Sequence, residues 1–236
     1  MKKIFVHCRL QEKELKELRK NFLLRTHSSK NIILNENDFF KKAAGSHGVI
    51  SQGNIINKNF IHANKNSLRA ISNVGVGYDN IDIDAATRNG VAVFNTPNLM
   101  NNAVADLTMG LIIALVRKIC VGNEFVKSGK WKGNSWSLFW GENLCSESLG
   151  VIGLGNIGKE VAKRAISFGL KVFYNNRKRL NKNIEKQYKV SYLDFKELIA
   201  NCKFIVLLLP LTKKSKHLFT KRIFQKMRDD SFLINV

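Results

Sequence analysis

The chain has 236 residues, 44% hydrophobic and 24% charged, an ordinary globular balance with enough length to bury one large or two small cores. Its formal charge is +21, yet the lysines are spread along the whole chain among many asparagines and no aromatic-interleaved basic element stands out, so a nucleic-acid partner is not expected. No apolar stretch has membrane-spanning length, Met1-Lys2-Lys3-Ile4 runs into a strand without a signal-peptide core, and Cys8, Cys120, Cys145 and Cys202 lack metal-type spacing; these features point to a cytoplasmic protein with reduced thiols and no membrane partner.

The first hundred residues read as alternating strands and helices. Residues 3–7 form a short strand, and residues 12–22 an amphipathic helix with Leu15, Leu18 and Phe22 on one face. Strand tips follow at residues 48–50, 68–74 and 91–94, and Asn89-Gly90 stops a short helix over 83–88. This alternation predicts a small parallel α/β unit. After Pro97, Asn101-Asn102 caps a long apolar helix over 103–118, which continues with a break near Gly122 to Ser128-Gly129. Residues 131–147 read as an irregular connection, where Trp136 and Trp140 pack the loop or, alternatively, line a mouth or a dimer contact.

A second α/β unit starts at the apolar run 149–154, which ends in Gly153-Leu154-Gly155-Asn156-Ile157-Gly158 and passes into a helix over 159–167. A strand that stops on glycines lets the backbone approach a pyrophosphate, and the next helix offers unpaired N–H groups to its oxygens. The pattern alone is weak; here it has the strand before it, the helix after it, and a second strand over 170–174. Then come a helix over 192–200, a strand over 204–209, a helix over 221–227 and a strand over 231–236, with no internal repeat.

The end of the 170–174 strand bears on which dinucleotide binds. A site for NADH carries Asp or Glu there, on the ribose 2′-hydroxyl. This chain has Asn175-Asn176-Arg177-Lys178-Arg179, with cations to meet a 2′-phosphate and no carboxylate to repel one. The expected coenzyme is NADPH, with NADH as the alternative; the bland reading is a basic loop in a basic protein.

Several stretches together resemble the D-isomer-specific 2-hydroxyacid dehydrogenases, in particular the glyoxylate/hydroxypyruvate reductase branch. They are Ser72-Asn73-Val74-Gly75-Val76-Gly77-Tyr78-Asp79-Asn80-Ile81-Asp82, Asn95-Thr96-Pro97, Ala103-Val104-Ala105-Asp106, Gly129-Lys130-Trp131, the glycine turn, Leu207-Leu208-Leu209-Pro210-Leu211-Thr212 and Phe232-Leu233-Ile234-Asn235-Val236. The resemblance covers nearly all of the chain from Asn64 onward, and Pro97 and Pro210, the only two prolines, both lie in it. It implies a flavodoxin-like substrate domain over residues 1–98 and an incomplete Rossmann domain, a doubly wound parallel sheet, over 99–236. It also implies that the amides of Val76 and Gly77 hold a substrate carboxylate, where the bland reading is a plain strand-to-helix turn. Cofactor contacts fall on Gly153, Gly155, Asn156, Ile157, Gly158, Asn175, Arg177, Lys178, Arg179, Leu209, Pro210, Asn235 and Val236. Asp106 stands near the nicotinamide-facing helix and reads equally as a helix-terminal charge.

The activity implied is NADPH-dependent reduction of small 2-keto acids, of the glyoxylate or hydroxypyruvate type, to D-2-hydroxy acids, in a homodimer. The family uses an arginine, a glutamate and a histidine, and all three positions fall beyond Val236. None of His7, His27, His47, His62 and His217 takes the catalytic place, so the 236 residues by themselves are expected to have little activity or stability. The alternative is a non-catalytic dinucleotide-binding or regulatory remnant that pairs with a full-length homologue through the helix over 103–116.

Overall fold

The structure, a computed structural model, describes residues 1–27, 34–133, 136–212 and 214–236; the side chain of residue 136 lies outside that description. The chain divides into two units, Met1–Pro97 and Asn98–Val236.

The first unit runs β1 (Lys2–His7), α1 (Glu12–Arg19), β2 (Phe22–Thr26), α2 (Glu36–Ala43), β3 (Gly48–Ser51), α3 (Lys58–Ala63), β4 (Ala70–Asn73), α4 (Ile83–Arg88) and β5 (Ala92–Phe94). Its strands are all parallel, in the order β2-β1-β3-β4-β5, the arrangement of a flavodoxin-like sheet. Local chemistry sets the helix starts. Asn35 accepts from Asp38 N, Asn57 from Phe60 N and Asp82 from Ala85 N, and each such cap stabilises its helix by about 1 kcal/mol. Phe5, Phe39, Val49, Phe60, Ile61 and Ile71 close the core between sheet and helices.

The second unit runs α5 (Asn101–Val116), α6 (Ile119–Lys127), a 3₁₀ turn (Trp136–Phe139), β6 (Ser148–Ile152), α7 (Asn156–Ser167), β7 (Lys171–Asn175), α8 (Lys182–Gln187), β8 (Val190–Tyr192), α9 (Phe195–Asn201), β9 (Phe204–Leu207), α10 (Lys221–Phe224) and β10 (Phe232–Asn235). Its sheet is parallel throughout, in the order β10-β9-β6-β7-β8. Renumbered within the unit this is 3-2-1-4-5 read from β8, the doubly wound order whose direction reverses between β6 and β9. Helix α5 buries Ala105, Met109, Ile112 and Val116 in the same core as Leu149, Val161 and Val206.

Several sequence expectations need correction. The helix expected over 12–22 ends at Arg19, and Phe22 begins β2, paired with Lys2; both states place an aromatic residue on a half-buried face, so periodicity did not separate them. Asn101-Asn102 does not cap α5 but lies in its first turn, and Met100 precedes it without a side-chain cap. The break expected near Gly122 falls instead at Lys118, which adopts φ 52°, while Gly122 is inside α6. Tyr192, expected in a helix, closes β8. Helices α2, α3 and α8 and strand β8 are short and carry too few apolar residues for periodicity to show.

Candidate functional site

All five strands of the second sheet run the same way, so their C-terminal ends share one edge. The glycine turn leaves β6 on that edge, the basic run leaves β7, Leu209 and Pro210 follow β9, and Asn235 and Val236 close β10. The edge includes the β6–β9 reversal, where ligands of open α/β sheets bind.

Each turn glycine has a separate cause. Gly153 has φ 101°, and a Cβ there would stand 2.7 Å from Leu208 O. Only glycine makes this turn so close to the end of β9. Gly158 lets α7 press onto the turn, since its Cβ would lie 2.7 Å from Gly153 O and 3.3 Å from Val151 Cγ1. Gly155 differs. It has an ordinary φ of −87°, and a Cβ on it would meet nothing within 4 Å. Neither strain nor crowding calls for glycine at 155, whereas the close approach of a pyrophosphate does. The first turn of α7 lies directly behind, with Gly155 as its N-cap and no side-chain hydrogen bond made at the cap. The residues therefore fit a dinucleotide.

The basic run is tied to this turn. Gly153 N donates to Asn175 O at 2.9 Å. Asn176 Oδ1 accepts from Leu154 N at 2.7 Å, and its Nδ2 faces Leu154 O at 3.4 Å. An asparagine can face both the N–H and the C=O of one residue; a carboxylate would repel that carbonyl. Asn175 is held on its other side, donating to Leu193 O at 2.9 Å. Of the cations, Arg177 and Lys178 are exposed and have no acceptor among the described residues. Arg179 is engaged in a two-toothed pair with Glu185, at 2.8 and 2.9 Å. Glu185 Oε1 also accepts from Tyr174 Oη at 2.8 Å. The Arg179 guanidinium and then the Tyr174 hydroxyl hold the Glu185 carboxyl down at about 2. Burial, with the Glu185 bond second, pushes the Tyr174 phenol up.

Beyond β9, a cleft of about 360 Å³ is lined by Leu207, Leu209, Leu211, Ser215, His217, Phe219 and Asn235, among others. It joins Leu209 to Asn235, two of the residues expected at the cofactor. Pro210 and Val236 are exposed beside it, and Ser215 Oγ donates to Pro210 O at 2.6 Å. Asn156 donates to Asn98 at 2.7 Å, which steadies a residue in the left-handed region at φ 69°. Ile157 packs against the core.

In the first unit, Val76 and Gly77 follow β4 in an exposed loop. Their carbonyls are held from the protein side: Asn95 Nδ2 donates to Val76 O at 3.0 Å and Asn73 Nδ2 to Gly77 O at 2.6 Å. Thr96 brackets Gly75, its N–H donating to Gly75 O and its hydroxyl accepting from Gly75 N, both at 3.0 Å. The N–H groups of Val76 and Gly77 have no acceptor among the described residues, leaving two donors for an anion. The anchoring roles of Asn73, Asn95 and Asn176 escaped the sequence reading, because Asn in a loop is compositionally ordinary in this chain.

Other candidates resolve structurally. Asp106 pairs with Arg164 at 2.6 Å, and Arg164 also reaches Asn102 at 3.2 Å and Glu160 at 3.2 Å, so Asp106 ties α5 to α7. His217 is an exposed residue at φ 57°. His7 is buried against Phe5, His27 and Phe39. Trp140 is 72% exposed and does not pack the loop. Among the described residues no cluster of His, Cys, Asp and Glu could hold a metal, and no helix is long and apolar enough to cross a membrane.

Comparison with known proteins agrees with this geometry. Residues 109–236 match the D-isomer specific 2-hydroxyacid dehydrogenase, NAD binding domain family. The chain is 37% identical over 180 residues to a glyoxylate reductase of Pyrococcus horikoshii, covering 75% of this chain and 54% of that one. It is 35% identical over 195 residues to glyoxylate/hydroxypyruvate reductase B of Pectobacterium atrosepticum, covering 82% of this chain and 60% of that one. A solved glyoxylate reductase from Paecilomyes thermophila superposes with a TM-score of 0.84 at 27% identity, over 99% of this chain and 73% of that one. The chain thus spans little more than half the length of these curated relatives. By its matched residues and the order of its strands, the chain belongs to the D-isomer specific 2-hydroxyacid dehydrogenase family.

Proposed function

We propose that this chain supplies the coenzyme-binding and carboxylate-binding parts of a cytoplasmic, NADPH-dependent reductase of small 2-keto acids, of the glyoxylate or hydroxypyruvate type. The observation that carries the reading is the open space at Gly155, with the basic run tied beside it through Asn176. In this reading Gly153, Gly155, Asn156, Ile157 and Gly158 receive the pyrophosphate at the start of α7. Arg177 and Lys178 meet the 2′-phosphate, and Leu209, Pro210, Asn235 and Val236 border the rest of the coenzyme. Bound nicotinamide supplies a hydride. The Val76 and Gly77 amides hold the keto acid's carboxylate, while Asn95 and Asn73 hold the carbonyls of Val76 and Gly77 and Thr96 holds that of Gly75.

The arginine, glutamate and histidine that the family resemblance implies have no counterpart among these 236 residues, so they bind without completing the chemistry. A general acid alone is worth roughly 10² to 10⁴ in rate. The test is NADPH oxidation with glyoxylate and with hydroxypyruvate, by this chain and by one extended to the relatives' length. The reading expects turnover from the extended chain and little from the 236 residues; an extended chain that binds neither coenzyme nor keto acid contradicts it.

One observation favours a paired form. Helix α5 buries one face and leaves Leu107, Leu111 and Leu115, one turn apart, 55%, 37% and 46% exposed. In the proposed function this stripe meets a second copy or a longer homologue, and sedimentation of Leu111→Lys against the unaltered chain tests it.

A further inference from the structure

Three cations follow β7, and the structure treats one of them differently. Arg179 is gripped at 2.8 and 2.9 Å by Glu185 on α8, and its guanidinium lies 5.6 Å from the centre of the Tyr192 ring. Glu185 is itself anchored to the core. Its Oε1 takes the hydroxyl of Tyr174, which is fully buried, and the same hydroxyl accepts Leu180 N at 2.9 Å. The Glu185 side chain is only 11% exposed. If Arg179 swung away, a covered carboxylate would lose its main partner, which is costly. Arg177 and Lys178 carry no such tie and follow directly on Asn176, the residue bound to the glycine turn.

We propose that Glu185 holds Arg179 out of the coenzyme site in a pair that is itself neutral, so that Arg177 and Lys178 carry 2′-phosphate recognition. Glu185 is then a positioning and specificity-setting residue that no motif of the sequence marks. It takes one of three available cations out of play and so moderates the preference for a phosphorylated ribose. The inference rests on the coenzyme reading above, and its test separates the two.

The experiment is calorimetric titration of the 236-residue chain with adenosine 2′,5′-bisphosphate and, as the probe lacking the 2′-phosphate, with 5′-AMP. Four variants are compared with the unaltered chain: Arg177→Ala, Arg179→Met, Glu185→Gln and the double variant Arg179→Met/Glu185→Gln. The amide introduced by Glu185→Gln keeps an acceptor for Tyr174, so the anchor survives. The unaltered chain prefers the bisphosphate, and Arg177→Ala weakens the bisphosphate roughly 10- to 100-fold, the worth of one charge-assisted hydrogen bond, while leaving 5′-AMP unchanged. Glu185→Gln frees Arg179 and raises bisphosphate affinity several-fold. Arg179→Met exposes the lone carboxylate and lowers it. The double variant removes a neutral pair and stays within about twofold of the unaltered chain, since opposed charges cancel at range. A double variant that loses the preference as Arg179→Met does, or a fall in Glu185→Gln, overturns the inference and leaves the coenzyme reading standing. An unaltered chain indifferent to the 2′-phosphate overturns both.

Discussion

Replacing Gly155 by alanine should separate folding from binding. The backbone there has φ −87° and ψ −152°, which alanine adopts without strain, and the added Cβ meets no atom within 4 Å. Two small effects on stability oppose each other. Losing glycine's freedom in the unfolded chain stabilises by about 0.4–1 kcal/mol, and alanine is the poorer N-cap by a similar amount. The melting temperature should therefore move by less than about 4 °C. The methyl group would occupy the space assigned to the pyrophosphate. Losing one N–H contact to a charged oxygen costs about 1.5–3 kcal/mol, roughly a 10- to 100-fold fall in dinucleotide affinity. Gly158→Ala gives the contrast. Its Cβ would press to 2.7 Å from Gly153 O, and overpacking of this kind costs about 1–3 kcal/mol. Thermal unfolding and NADPH titration of both variants make the assay. If Gly155→Ala binds as tightly as the unaltered chain, or unfolds as early as Gly158→Ala, the assignment of that space is wrong.

Three further outcomes follow from the same contacts. Asn176→Asp places a carboxylate against Leu154 O and beside the basic run, so the ratio of NADPH to NADH affinity should fall at least about tenfold, read by paired titrations. Lys203→Met removes the ammonium of a side chain only 7% exposed from Glu142, Glu147 and Asp230; because those partners are partly solvated, the loss should be about 1–3 kcal/mol in urea unfolding, and no loss at all would show the network to be idle. Glu185 titrates lower folded, at about 2, than its ordinary 4.5, through Arg179 and Tyr174, with Lys182 adding a little. Its stabilisation is therefore full above pH 4.5 and is lost as the pH falls toward 2, so Glu185→Gln should flatten acid unfolding in that window. An unchanged acid limb would mean that the carboxyl titrates alike in both states.

The second sheet was legible where hydrophobic runs end on glycine or proline. The turn at Gly153 and the strand before Pro210 announce themselves because glycine and proline have few structural excuses. The short pieces were not. Helix α8 and strand β8 are three to six residues long and take their place from packing rather than from a period of their own. The same holds for Phe22, whose strand pairing with Lys2 is a tertiary matter. In the site, residue types were readable and partners were not. The run Arg177-Lys178-Arg179 looks uniform in sequence, and only the approach of Glu185 from α8 sets Arg179 apart. Asn73, Asn95 and Asn176 act through backbone atoms brought near by the fold, which no spacing rule encodes.

The most direct measurement is the affinity of the chain for NADPH and for NADH, taken by calorimetry in one buffer. The account predicts binding of both, with NADPH at least about tenfold tighter through the 2′-phosphate contacts. Binding of neither coenzyme by a folded chain, or a preference for NADH, would contradict it.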